Sequence, residues 1–199
     1  RARTTGQYAQ LSELVVQTMS APEPSPDGRD EMPCDAAMGS TPKDGQRVCG
    51  DSLTFFRGPG STLYLLLSDG MGSGREAQRE SQMALRLTEQ FLKAGIAPEM
   101  ALGTLNTALN LRSDEKGSFT TIDLMAVDLA AGEAALYKYG AAPTYIKRQG
   151  SVRRLTGSAL PAGLQDAGSV PAPARFPLEE NSFLLMVSDG VADSSSDGW

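Results

Sequence analysis

The stretch Ser61-Thr-Leu-Tyr-Leu-Leu-Leu-Ser-Asp-Gly-Met-Gly-Ser-Gly74 decides how this chain folds. Leu63 to Leu67 form an apolar run, with a Gly58-Pro59-Gly60 turn before it and Asp69-Gly70 after it. That is the pattern of a buried strand ending in a carboxylate. Near the other end, Phe183-Leu-Leu-Met-Val-Ser-Asp-Gly190 repeats it, with Asp189 in the place of Asp69. A further acid, Asp51, follows Gly50 and precedes Leu53 to Phe56, a candidate strand running into the Gly58 turn. Acids at strand ends, each beside a glycine that admits a close backbone, supply the oxygen ligands that a hard divalent ion needs. Two neighbouring strands of one sheet are expected to bring Asp69 and Asp189 together.

Working outward from Gly74, the hydrophobic period changes to that of a helix. Arg75 to Ala94 places Ala77, Ser81, Ala84, Thr88 and Phe91 on one face, with Leu85 and Leu92 alongside, and Gly95 stops it. Pro98 opens a second helix to Leu111. From Phe119 the pattern is β again: Thr120 to Leu129, Glu133 to Tyr139, Thr144 to Lys147, Val152 to Leu155 and Phe183 to Val187, with a Pro-rich loop at Val170 to Pro177. Upstream, 29–47 is turn-rich, with room for one strand and a loop over the site. Residues 7–20 carry Tyr8, Leu11, Leu14, Val15, Thr18 and Met19 at helical spacing, and the prolines between Ala21 and Gly28 end that segment. The chain thus divides into an N-terminal helix with a Pro-rich linker, 1–28, and a main domain, 29–199. The helix is either a tail packed on its own domain or a regulatory or dimer-forming element. The order β, two helices, then many strands specifies an α+β layered domain and not an alternating parallel sheet.

Composition removes whole classes of chemistry. The chain has 199 residues, is 40% apolar and contains no histidine. Without imidazole there is no Ser-His-Asp triad and no His-ligated zinc or iron. Cys34 and Cys49 cannot complete a zinc site, and as a pair they are read as free thiols ahead of a disulfide. Any metal held by side chains must be held by carboxylates, which selects Mg, Mn or Ca. A formal net charge of -6 with scattered Lys and Arg argues against a nucleic-acid partner. No segment has the run of about 18 apolar residues that crosses a membrane. The glycines of Gly70-Met-Gly-Ser-Gly74 lack the Gly-Lys-Ser/Thr ending and the spacing of nucleotide loops.

Gly50-Asp51-Ser52, Ser68-Asp69-Gly70-Met71-Gly72-Ser73-Gly74, Thr121-Ile-Asp123-Leu, Tyr139-Gly-Ala-Ala-Pro143, Leu160-Pro-Ala-Gly163 and Ser188-Asp189-Gly190 occur in the order seen in the metal-dependent Ser/Thr phosphatases of the protein phosphatase 2C family. They resemble most the bacterial branch typified by stage II sporulation protein E, over about residues 48 to 199. The resemblance implies an antiparallel β-sandwich flanked by helices, here C-terminally truncated because the family's further Asp lies beyond Trp199. It implies two Mn2+ or Mg2+ ions, with Asp69 bridging them, the Gly70 carbonyl and Asp189 as ligands, and Asp51 acting directly or through water. Asp69 and Asp189 would be the catalytic pair. The implied substrate is a phosphorylated protein of the anti-sigma-factor antagonist type in sporulation control, met in the cytoplasm. The implied parent carries an N-terminal membrane region, in keeping with a chain that opens on Arg1. Helices 75–111 would be the switch element. Sheet edges left without neighbours favour association, in the simplest case as a homodimer. Arg75 is either a substrate-phosphate contact or a solvated helix residue. The alternative class is a catalytically silent module that keeps the fold to bind a partner.

Overall fold

The computed structural model describes residues 15–19, 31–42, 47–112 and 119–192. In chain order its elements are β1 (Val15–Met19), β2 (Ala36–Ser40), β3 (Asp51–Arg57), β4 (Thr62–Asp69), α1 (Gly74–Lys93), α2 (Pro98–Arg112), β5 (Ile122–Asp128), β6 (Glu133–Tyr139), β7 (Thr144–Arg148), β8 (Ser151–Leu155), β9 (Ala174–Pro177), β10 (Phe183–Met186) and α3 (Asp189–Ala192). A five-stranded antiparallel sheet in the order β3-β4-β5-β6-β9 is the backbone of the domain. A second, three-stranded sheet runs β10-β7-β8, and β1 pairs with β2 apart from both.

The five-stranded sheet is sandwiched. Its outer face, through Tyr64, Leu66, Ile122, Leu124, Tyr137 and Tyr139, packs against Ala84, Leu85 and Leu92 of α1 and Leu102, Leu105 and Leu109 of α2. The small residues Ala77, Ser81 and Ala84 form the buried stripe of α1, so its backbone lies close to the sheet. The inner face, through Leu63, Met125, Val127, Ala134 and Leu136, meets Ile146 of the second sheet. The result is the α+β layered domain that the strand and helix order specifies, in the form of the helix-flanked β-sandwich that the resemblance implies.

Two elements differ from the sequence reading. Val15–Met19 is a strand paired with Ala36–Ser40, not part of a helix over 7–20. Val15, Val16 and Thr18 are β-branched, and β2 offers that preference a partner; residues 7–14 lie outside the described residues. The pairing also crosses the division drawn at residue 28. Within the Pro-rich stretch, Ala174–Pro177 adds a strand at the edge of the large sheet, beside β6. An edge tolerates Pro177 because one side of that strand needs no ladder donors. Cys34 and Cys49 are free. Among the described residues no helix is long and apolar enough to cross a membrane.

Candidate active site

The site forms where the inner face of the large sheet runs out of apolar residues. Strand alternation puts Leu63, Leu65, Leu67 and Asp69 on one face, and the β3–β4 register sets Asp51 opposite Asp69. Two carboxylates side by side on one face repel. Asp189 comes from the other sheet: β10 ends at Met186, Val187 and Ser188 follow, and Asp189 starts the short α3. The three acids therefore gather across the sandwich and not along neighbouring strands of a single sheet, which corrects the expected route but not the meeting.

Several contacts fix this gathering. Ser188 Oγ donates to Asp51 Oδ2 at 2.6 Å, joining the two sheets beside the cluster. The Asp69 backbone N–H donates to Thr121 Oγ1 at 3.1 Å, and its carbonyl accepts from Thr120 Oγ1 at 2.6 Å and from the Thr121 N–H at 3.0 Å. The end of β4 is thus held from several directions. A cleft of about 40 Å³ opens here, lined by Leu67, Asp69, Thr121, Gly140, Ala142 and Asp189, among others.

Gly70 follows for a reason of space. A Cβ on it would stand 1.9 Å from the Ala77 carbonyl oxygen. Only glycine lets α1 press against the backbone immediately after Asp69. Gly70 also bridges to Thr120, and Thr120 in turn to Ala162, so the Leu160-Pro-Ala-Gly163 block is tied to this end of the sheet. Arg75 and Met71 are both exposed near the start of α1.

Electrostatics mark Asp69 out. Burial first, then hydrogen bonding and charge repulsion from Asp51, then Asp189, push its carboxyl up to about 8. A group of this kind holds a proton or takes a cation in its place. All-oxygen donors of this charge match Mg2+, Mn2+ or Ca2+. The donor chemistry fits, although among the described residues no group of three or more Asp, Glu, His or Cys side chains is arranged to hold a metal as it stands.

Beneath the cleft lies a feature that the sequence reading did not single out. Asp123 and Lys138 are direct partners across β5 and β6, and Lys138 Nζ donates to Asp123 Oδ2 at 2.6 Å. Thr144 Oγ1 on β7 donates to the same oxygen at 2.8 Å and accepts from Lys138 Nζ at 2.9 Å. Burial pushes the Asp123 carboxyl up and the Lys138 ammonium down, against their mutual attraction. The signal was present in the alternation: Ala134, Leu136 and Lys138 share the inward face of β6, so the lysine occupies a core position. Thr121 and Asp123 face the same way but serve different partners, Asp69 and Lys138 respectively.

Comparison with known proteins finds relatives in sequence and in fold. The family model for stage II sporulation protein E matches residues 59–199. A stage II sporulation protein E from Priestia megaterium is 33% identical over 157 residues, 79% of this chain and 26% of that protein. The chain thus spans about a quarter of the length of that relative. The solved structure of the PP2C phosphatase domain with a fragment of the regulatory domain of SpoIIE from Bacillus subtilis superposes with a TM-score of 0.71 at 27% identity, over 100% of this chain and 62% of that one. RsbX, solved in complex with magnesium, shares the fold at a TM-score of 0.63 and 16% identity, over 89% of this chain and 73% of that one.

Proposed function

The chain belongs to the stage II sporulation protein E family, and from that membership we propose that it forms most of a phosphatase domain that hydrolyses phosphoserine or phosphothreonine on a protein with Mn2+ or Mg2+. The observation that carries this reading is the gathering of Asp51, Asp69 and Asp189 from two sheets at one end of the sandwich. Asp51, Asp69, the Gly70 carbonyl and Asp189 are the groups that would hold the ions, and Asp69 and Asp189 carry the catalytic role. RsbX, a protein of the same fold, binds magnesium, the kind of cation these donors suit. Bound there, a divalent ion supplies Lewis-acid activation of water and neutralises phosphoryl charge.

The chain's own residues do the positioning. Ser188 Oγ holds Asp51 Oδ2 and so ties the start of β3 to the segment that carries Asp189. Thr120 and Thr121 fix the Asp69 backbone, so its carboxylate need not be ordered when a ligand arrives. Neither histidine nor a covalent enzyme intermediate is required.

Family membership suggests an anti-sigma-factor antagonist phosphoprotein as substrate, in sporulation control, and a membrane-anchored parent whose phosphatase part faces the cytoplasm. Asp69→Ala or Asp189→Ala in the full-length protein should reduce Mn-dependent phosphate release from a phosphoserine protein to background, and full activity in either variant defeats the reading. One observation favours a second reading, a catalytically silent module of the same fold: no closed metal set exists among the described residues. Wild-type protein that binds a phosphoprotein yet releases no phosphate at any Mn concentration would establish that reading instead.

A further inference from the structure

The spacing of Asp69 and Asp189 depends on how far apart the two sheets are held, because one acid ends β4 and the other follows β10. Most of the layer between the sheets is apolar: Leu63, Met125, Val127, Leu136, Ile146 and Phe176. Apolar contact fills space without direction and sets no bond-length distance between layers. The Asp123–Lys138–Thr144 set does, since Thr144 belongs to the small sheet and the other two to the large one.

Its placement reaches both acids by short routes. Asp123 pairs with Leu67, two residues before Asp69. Thr144 pairs with Met186, three residues before Asp189. Gly140 and Ala142, between Lys138 and Thr144, line the cleft itself. Asp123 and Thr144 are fully buried and Lys138 nearly so. Asp123 Oδ1 is buried with no hydrogen-bond partner among the described residues. A buried ion pair with an orphaned oxygen is a poor source of stability compared with apolar residues of the same size. Its value must lie in geometry.

Resting on the phosphatase reading above, we infer that Asp123, Lys138 and Thr144 are positioning residues: they set the gap between the sheets at the cleft end, and with it the separation of Asp69 and Asp189. They touch neither substrate nor ion.

The test compares full-length wild type with Asp123→Leu/Lys138→Met/Thr144→Val, which replaces the set by apolar side chains and leaves no charge stranded. Three quantities are read: thermal midpoint, Mn binding by electron paramagnetic resonance of free Mn2+, and kcat with KM on a phosphoserine peptide. The expected result is a midpoint equal to or above wild type, Mn binding weaker by about tenfold or more, as for losses in the layer behind metal ligands, and a lower kcat with KM unchanged. Thr144→Ser should keep wild-type Mn binding, and Thr144→Val, which removes the cross-sheet hydroxyl alone, should lose part of it. A folded triple variant, or Thr144→Val should the triple not fold, that binds Mn like wild type overturns the inference and leaves the phosphatase reading standing. Wild-type protein that neither binds Mn nor releases phosphate removes both together.

Discussion

On the face of the five-stranded sheet that meets the helices, Leu66, Ile122, Leu124, Tyr137 and Tyr139 are closed over by Leu85, Leu92, Leu102 and Leu105. The opposite face is apolar for only part of its length, through Leu63, Met125, Val127 and Leu136, and then passes to Leu67, Asp69, Thr121, Asp123 and Lys138. Both faces are made by the same strands, and adjacent residues of β4 serve opposite ends. The contrast teaches where stability is stored and where it is given up. Burial of large side chains under α1 and α2 is the favourable term, and it tolerates, on the other side of the same backbone, acids that repel.

The sharpest way to break this contrast is to truncate neighbours. Leu66→Ala, on the helix face at 1% exposure, should lower unfolding stability by about 3 kcal/mol in urea titration while leaving Mn binding intact. Leu67→Ala, half-buried at the cleft, should cost less than about half of that in stability and should perturb Mn binding. Equal stability losses with equal effects on Mn would mean that the two faces are not specialised.

A smaller effect comes from Asp69. With its carboxyl pushed up to about 8, the folded metal-free protein keeps a proton that the unfolded chain gives up near the ordinary carboxylate range. The stability tied to that proton is fully present below about pH 4 and is lost as pH rises through about 8. The thermal midpoint of metal-free protein should therefore fall between about pH 5 and 8, and saturating Mn2+ should oppose that fall. Asp69→Asn should flatten the profile and raise the metal-free midpoint at about pH 8 by roughly 5 °C, a value already reduced for the partial exposure of the group. A flat wild-type profile would show that the cluster is relaxed and that this face gives up nothing.

How much of this was legible in the sequence follows from the same contrast. The apolar run before Asp69 and the turn at Gly58 to Gly60 are local signals, and β3 and β4 form on either side of that turn; the register that sets Asp51 against Asp69 emerges only in the structure. The helices from Arg75 and Pro98 are legible because small residues at helical spacing, glycine stops and proline starts act within one turn; α1 and α2 differ from those readings by a residue at their ends. The segment at Val15 to Met19 misled because its apolar residues satisfy a helical period while their β-branching favours a strand, and only the partner Ala36 to Ser40 decides between them. Which sheet delivers Asp189 was not legible, because order along the chain does not say that β10 pairs with β7. Lys138 was half legible: its parity marks it as inward, but Thr144, the third member, reaches it only through the packing of one sheet on the other.

The finest test asks whether the faces are independent near the cleft, where the helix side also carries polar groups. Ser81 on α1 is fully buried; its Oγ donates to the Gly50 carbonyl at 2.6 Å and lies 2.8 Å from Ser52 Oγ. Those partners flank Asp51, whose own side chain points to the other face. Ser81→Ala removes the hydroxyl and leaves a half-buried carbonyl to water, so unfolding stability should drop by about 1 kcal/mol. If α1 acts only as a cover, Mn binding should stay within about twofold, since a change of this size on one face leaves carboxylates on the other where the register holds them. If Mn binding weakens by about tenfold while stability drops by no more than about 1 kcal/mol, the hydroxyl is coupling α1 to the position of Asp51. The helix face would then belong to the site as well as to the core, and the division between the two faces would hold only away from the cleft.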